Sequence, residues 1–240
     1  MRYMFIILSV FLTIFMSNLL HGQEDTLGLV GLGISIDPTK GSELVYINPS
    51  LENLQSNWTN NTSSVVFYVP INVTNRFRLE PSIGIFSMSS STASTQGGGY
   101  PQTITNDASV ITLGIRGTYN SFLSNSLMLY YGPRFEFDIV SSTYEDLYYS
   151  NYPSTNSKYD NKTITSETDI TFGAVIGVEY FPIRKFSVGG EINLNYVIFG
   201  NPNVTNNNYP TPAAPSTYTS ERDQYTLYTG ALFFLRWYFL

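Results

Sequence analysis

The sequence predicts an all-β chain: an eight-stranded antiparallel up-and-down transmembrane β-barrel, preceded by a cleavable signal peptide. Three observations lead there. From Leu27 onward the dominant hydrophobic period is two, the period of a strand. The periodic stretches are joined alternately by short and long connections. The chain is also short of charge without being greasy, with 12% charged, 42% hydrophobic and 15% aromatic residues, where soluble domains carry about 25% charged. A barrel in a membrane has this balance because its outer face meets lipid while its lumen and loops stay polar.

The N-terminus reads as a signal peptide over residues 1–22, with the barrel domain over 23–240. Arg2 supplies the positive start, Met4 to Met16 form an apolar stretch interrupted only by Ser9 and Thr13, and Ser17 to Gly22 lead to cleavage before Gln23. Gly22 is suitably small at the cut, whereas Leu20 is larger than the ideal. The rival reading, an uncleaved anchor, needs an apolar run of about 20 residues, longer than this one. Nothing after residue 23 has the length and apolarity of a membrane helix. Loss of Arg2 leaves 11 basic and 18 acidic residues, net −7, which argues against a nucleic-acid partner.

Eight strand segments follow, at 27–37, 64–74, 77–88, 109–119, 127–139, 167–180, 186–199 and 225–239. Tilted membrane strands need about 9–11 residues to cross. The turns 74–76, 120–126 and 181–185 are short. The connections 38–63, 89–108, 140–166 and 200–224 are long and rich in Ser, Thr, Asn, Gly, Pro and Tyr. Short turns on one side and long structureless loops on the other is the outer-membrane arrangement, with termini and turns periplasmic and the loops extracellular.

Each strand separates into two frames. One is apolar, for example Val65, Phe67, Val69, Ile71 and Val73, or Ile170, Phe172, Ala174, Ile176, Val178 and Tyr180. The other carries every strand charge: Asp37, Arg78, Glu80, Arg116, Arg134, Glu136, Asp138, Glu167, Asp169, Glu179, Glu191 and Arg236. A basic residue at the lipid-facing midplane costs about 2–4 kcal/mol, so the charged frame should face the lumen. Lysine is expected only in loops and turns, at Lys40, Lys158, Lys162 and Lys185. Gly31, Gly33, Gly84, Gly114, Gly132, Gly173, Gly177, Gly189 and Gly230 share the charged frame, where they are expected to make room for Arg and Glu. Aromatics gather where the apolar frame ends: Phe77, Tyr119, Tyr180, Phe186, Trp237 and Phe239 at one girdle, Phe137, Phe172, Tyr196 and Tyr225 at the other.

The signal peptide, the eight amphipathic strands and the terminal Arg236-Trp237-Tyr238-Phe239-Leu240 together resemble the small outer-membrane barrels of the OmpA and OmpX type. Members of that group typically end in an aromatic residue, here followed by Leu240, and the likeness implies recognition of the last strand by the barrel assembly machinery. No motif points to one member. Three prolines, Pro70, Pro81 and Pro133, lie inside proposed strands and each removes a ladder donor, so bulges or different strand limits are expected there.

Eight charges are the candidate site: Arg78, Glu80, Arg116, Arg134, Glu136, Glu179, Glu191 and Arg236. By depth, Glu80, Arg116, Glu191 and Arg236 should share one level, with Arg134 and Glu136 above and Arg78 and Glu179 below. One reading is an ion-pair network that fills a closed lumen, because buried charges must be paired. The other is a gate or proton path. Asp37, Asp138, Glu167 and Asp169 form an acidic rim, read as solvated rather than as a calcium site, since no ligand spacing accompanies them. The only His is His21 and there is no Cys, so the mature chain lacks the residues of Ser-His-Asp or Cys-His catalysis and of His-ligated metals; no enzyme activity and no cofactor are expected. Gly28 to Gly33 is not a dinucleotide fingerprint, because it opens a strand with no helix after it. Tyr144, Tyr148, Tyr149, Tyr152 and Tyr159 crowd the third long loop, a composition suited to contact surfaces.

The functional expectation is therefore a non-enzymatic barrel that anchors four long surface loops for envelope structure, adhesion or partner binding, with outer-membrane lipid around it. The alternatives are a narrow gated channel and a secreted lipocalin-like binder, the last requiring an inward-facing apolar frame.

Overall fold

A computed structural model describes residues 29–37, 64–96, 100–150, 157–209 and 215–239. The expected signal peptide, the start of the first strand and the connection 38–63 lie outside them. The elements are β1 (Val30–Asp37), β2 (Ser64–Tyr68), β3 (Ile71–Asn72), β4 (Phe77–Gln96), β5 (Tyr100–Ser124), β6 (Leu127–Ser150), β7 (Ser157–Ile183), β8 (Phe186–Ile198), β9 (Asn203–Tyr209), β10 (Ser216–Thr219) and β11 (Tyr225–Phe239).

Antiparallel pairing closes a ring: β1, then β2 with β3, then β4 to β8, then β11, which returns to β1. Counting β2 and β3 as one interrupted strand, the ring has eight strands, as the sequence predicts. The apolar frame faces outward. On β1 exposed and buried positions alternate strictly, with Leu32 and Ile36 outside and Asp37 inside. This is the reverse of the lipocalin arrangement. The girdle aromatics meet across strands, with Phe186 and Trp237 at 5.9 Å and Tyr196 and Tyr225 at 5.5 Å between ring centroids.

The prolines resolve in two ways. Pro70 divides the second strand into β2 and β3, yet Gly31 N–H still donates to its carbonyl at 2.9 Å. Pro81 and Pro133 stay in the ladder, opposite Ile115 and Ala174. Pro133 lies where the β5–β6 register passes from Arg116↔Arg134 to Tyr119↔Tyr131 without the steps between.

The long connections need correction. Residues 89–96 and 100–108 extend β4 and β5, and 140–150 with 157–166 extend β6 and β7, so these stretches are strand rather than loop. Strands β9 and β10 form a hairpin in the 200–224 connection, with β9 paired to the far part of β7. Six strands thus continue past the ring as one projecting sheet. Lys158 and Lys162 lie in this extension of β7 and not in a loop. The turns are tighter than expected too, since β5 runs to Ser124 and β7 to Ile183.

Candidate functional site

The lumen near the short turns is where the charged frame converges. Arg78 and Glu80 come from β4, Arg116 from β5, Glu179 from β7, Glu191 from β8 and Arg236 from β11. Alternation puts each on the inner face, and the ring brings opposite walls together. Arg78 contacts Glu80 at 2.8 Å and Glu179 at 2.7 Å. Arg236 contacts Glu80 at 3.0 Å and also pairs with Glu179. These four side chains form a closed cycle of alternating charge, all with no exposed surface. Arg116 extends it, pairing with Glu80 and reaching Glu191 at 2.6 Å. Three guanidinium groups meet three carboxylates, which is the condition for keeping so many charges out of water.

Arg134 and Glu136 stand apart. They pair with each other along β6. Between them and Arg116 lies a cavity of about 30 Å³, lined also by Ser35, Asp37 and Ser82; that is room for about two waters.

The expectation missed the aromatic half of this floor. Tyr68, Tyr130, Phe234 and Tyr238 are buried in the lumen among the charges. The Arg236 guanidinium lies 4.0 Å from the Phe234 ring centroid and 5.1 Å from that of Tyr130. Arg78 stacks on Tyr130 at 4.8 Å and Arg116 on Tyr68 at 4.9 Å. Tyr238 donates to Glu179 at 2.7 Å and Tyr130 to Glu191 at 2.8 Å. Tyr68, Tyr130 and Phe234 therefore cap the cation faces, while the Tyr130 and Tyr238 hydroxyls complete the carboxylates. Parity was the available signal: all four rings fall in the charged frame of their strands.

Most lumen glycines near the floor serve these rings, not Arg and Glu as expected. Gly33 pairs with Tyr68, Gly177 with Tyr130, Gly189 with Phe234 and Gly31 with Tyr238. A Cβ on Gly33 would sit 2.2 Å from the Tyr68 ring, and one on Gly177 2.4 Å from Tyr130. Gly114 and Gly173 do face Glu136 and Arg134.

Towards the projecting sheet the lumen changes character. Phe86, Ala108, Val110 and Val140 form a second buried apolar cluster. The acidic rim is engaged by the protein itself: Thr112 donates to Asp138, Gly200 N–H to Asp169 at 2.8 Å, and Arg222 pairs with Glu167 at 2.9 Å. Among the described residues no three carboxylates are placed to hold a metal. Glu167 lies beyond the apolar belt of β7, which runs from Ile170 to Tyr180. Burial, then the neighbouring Asp169, pushes its carboxyl up to about 7. On the sheet itself the Tyr148 and Tyr159 rings stack in parallel, 4.9 Å apart; Tyr152 lies outside the described residues.

Residues 7–211 match the family described as outer membrane protein beta-barrel domain. Among solved structures the chain is similar to CarO2 of Acinetobacter baumannii (12% identity, covering 90% of this chain and 100% of that one, TM-score 0.38). It is also similar to a major outer membrane protein of Thermus thermophilus (8%, 87% and 99%, 0.42) and to LpxR of Salmonella typhimurium (9%, 87% and 100%, 0.28). No curated protein matches the sequence.

Proposed function

The chain belongs to the outer membrane protein beta-barrel domain family and so to the bacterial outer membrane, and from that premise we propose that it is a closed, non-enzymatic anchor that displays a β-sheet at the cell surface. The observation that carries this is the floor: six charges and four rings from opposite walls fill the lumen, and five of the six charged side chains, Arg116 being the exception, are at most 3% exposed. A lumen filled in this way leaves no path for a solute. The projecting sheet then holds the surface available to partners, for adhesion or for envelope structure.

Orientation follows from connection length: the turn end and both termini lie on the periplasmic side, and the projecting sheet lies outside. Outer-membrane lipid covers the apolar belt. The terminal strand, ending in Trp237, Tyr238 and Phe239, is the segment offered to the barrel assembly machinery. The absence of His and Cys after residue 21 supports the non-enzymatic reading, as does the engagement of the floor carboxylates in ion pairs.

The test is conductance of the refolded protein in a planar bilayer. Silence is expected. Steady single-channel current that changes in Arg116→Ala would move the function into the lumen and establish the gated channel instead.

A further inference from the structure

The turn end of the barrel carries exposed charge of one sign. Among the described residues its exposed charges are Arg76, Arg184 and Lys185, and no exposed carboxylate joins them. The acids nearest this end, Glu80, Glu179 and Glu191, are committed to the floor. Among the described residues none of the three cations has an ion pair, and Arg76 Nη1 donates to the Tyr119 hydroxyl at 3.4 Å.

The two turns that bear these cations are fixed. Thr74 Oγ1 accepts from the Arg76 N–H at 3.2 Å and from the Phe77 N–H at 2.9 Å. Ile183 pairs with Phe186, so Arg184 and Lys185 make up the whole β7–β8 turn, and the Tyr238 N–H donates to the Lys185 carbonyl at 2.8 Å. Depth is fixed as well, because each turn borders the aromatic girdle. Arg76 precedes Phe77, and Lys185 precedes Phe186, whose ring centroid is 5.9 Å from that of Trp237. One residue along a strand is about 3.4 Å. That keeps these side chains within the headgroup layer, roughly 5–8 Å thick beyond the hydrocarbon.

The belt beside them faces lipid, so a headgroup meets them, and the charge that complements theirs is negative. Arg and Lys are the usual partners of phosphate. The opposite end of the belt differs. On the outer face of β4 to β7 the first charge beyond it is Asp107, and Lys162 lies directly opposite Glu145.

We propose that the turn-end rim seats the phosphate headgroups of anionic phospholipids, with Arg184 and Lys185 beside Trp237 as one contact and Arg76 with Tyr119 as another. The contact requires only that the belt face lipid. Its assignment to the periplasmic leaflet rests on the orientation read above.

Trp237 reports on the first contact, since Trp58→Phe leaves it the sole tryptophan of the chain. This protein is refolded into phosphatidylcholine vesicles that hold a small fraction of either phosphatidylglycerol or phosphatidylcholine brominated near the headgroup end of its acyl chains. Quenching of Trp237 then measures which lipid sits beside Lys185. Phosphatidylglycerol should be preferred roughly fivefold or more, the factor of about one basic residue at an anionic surface. Arg184→Gln with Lys185→Gln should make the two lipids equal. Arg76→Gln, across the ring from the β7–β8 turn, should leave the preference intact. Equal quenching before any rim substitution, a preference that survives the double variant, or one that Arg76→Gln also removes would overturn the proposal. Failure of the orientation is seen separately, as a tag placed between Ser150 and Ser157 that stays unlabelled in intact cells; it would change the leaflet and not the contact.

Discussion

The floor of the lumen and the projecting sheet are built from the same strands, yet they are held by different forces. On the floor, β4 contributes Arg78 and Glu80 and β7 contributes Glu179, and Arg78 reaches across the ring to Glu179. Beyond the belt the same two strands carry Ser91, Thr163 and Tyr159, whose partners are on adjacent strands, as in Thr163 to Asn206 at 2.9 Å. The floor couples walls that are not neighbours. Among the described residues the sheet's side-chain contacts are between neighbouring strands. Removing one group should therefore be costly and global in the first region, and small and local in the second.

The largest effect is expected at Glu179, which accepts from Arg78, Arg236, Ser187 and Tyr238. Glu179→Ala leaves two buried guanidinium groups short of charge, and should destabilise the refolded barrel by about 3–5 kcal/mol in denaturant unfolding. A loss under about 1 kcal/mol would mean that water enters the floor and solvates it.

Next is the fit of ring to glycine. Gly33→Ala should cost about 1–3 kcal/mol through its clash with Tyr68, and most of that cost should vanish in the Tyr68→Ala background. Gly190→Ala is the contrast. It points outward with nothing nearer than 3.8 Å, so it should be neutral or stabilise by up to about 1 kcal/mol. Equal costs at the two glycines would remove the ring-socket explanation.

In the projecting sheet, Tyr148→Ala should lose about 0.5–1.5 kcal/mol from the stacked pair. Amide exchange should quicken over 140–166 while the global unfolding midpoint stays put. A shifted midpoint would show that sheet and floor unfold together.

The smallest effect concerns Glu167 at the junction. Its carboxyl titrates near 7 when folded and in the ordinary carboxylate range when unfolded. Stability from its neutral form is full below about 4.5 and is lost as pH rises through 7. Glu167→Gln should flatten thermal stability across that window; an unchanged slope would assign it to another group.

The two regions were also unequally legible in the sequence. Inside the belt one frame meets lipid and the other does not, so parity alone orients Ile34, Asp37 and Arg236 correctly. The same parity holds for Tyr68, Tyr130, Phe234 and Tyr238, but the expectation missed them because their chemistry resembles that of the outer girdle, and only the ring geometry shows why glycine stands opposite each. Outside the belt both faces meet polar surroundings. Ser89, Ser90 and Ser91, or Ser141, Ser142 and Thr143, then follow one another as polar residues, the period of two disappears, and real strands read as loops. The break at Pro70 was visible as a conflict, but whether it would divide a strand or be carried in the ladder, as at Pro81, depends on neighbours far along the chain.

If the floor, and not the projecting sheet, closes the barrel, then the sheet can be removed without opening it. Planar-bilayer conductance decides this in a variant whose residues 141–165 are replaced by a short turn. The truncated barrel should stay silent, and should conduct only when Glu179→Ala is added. A truncated barrel that conducts with its floor intact would contradict the assignment of closure to the floor.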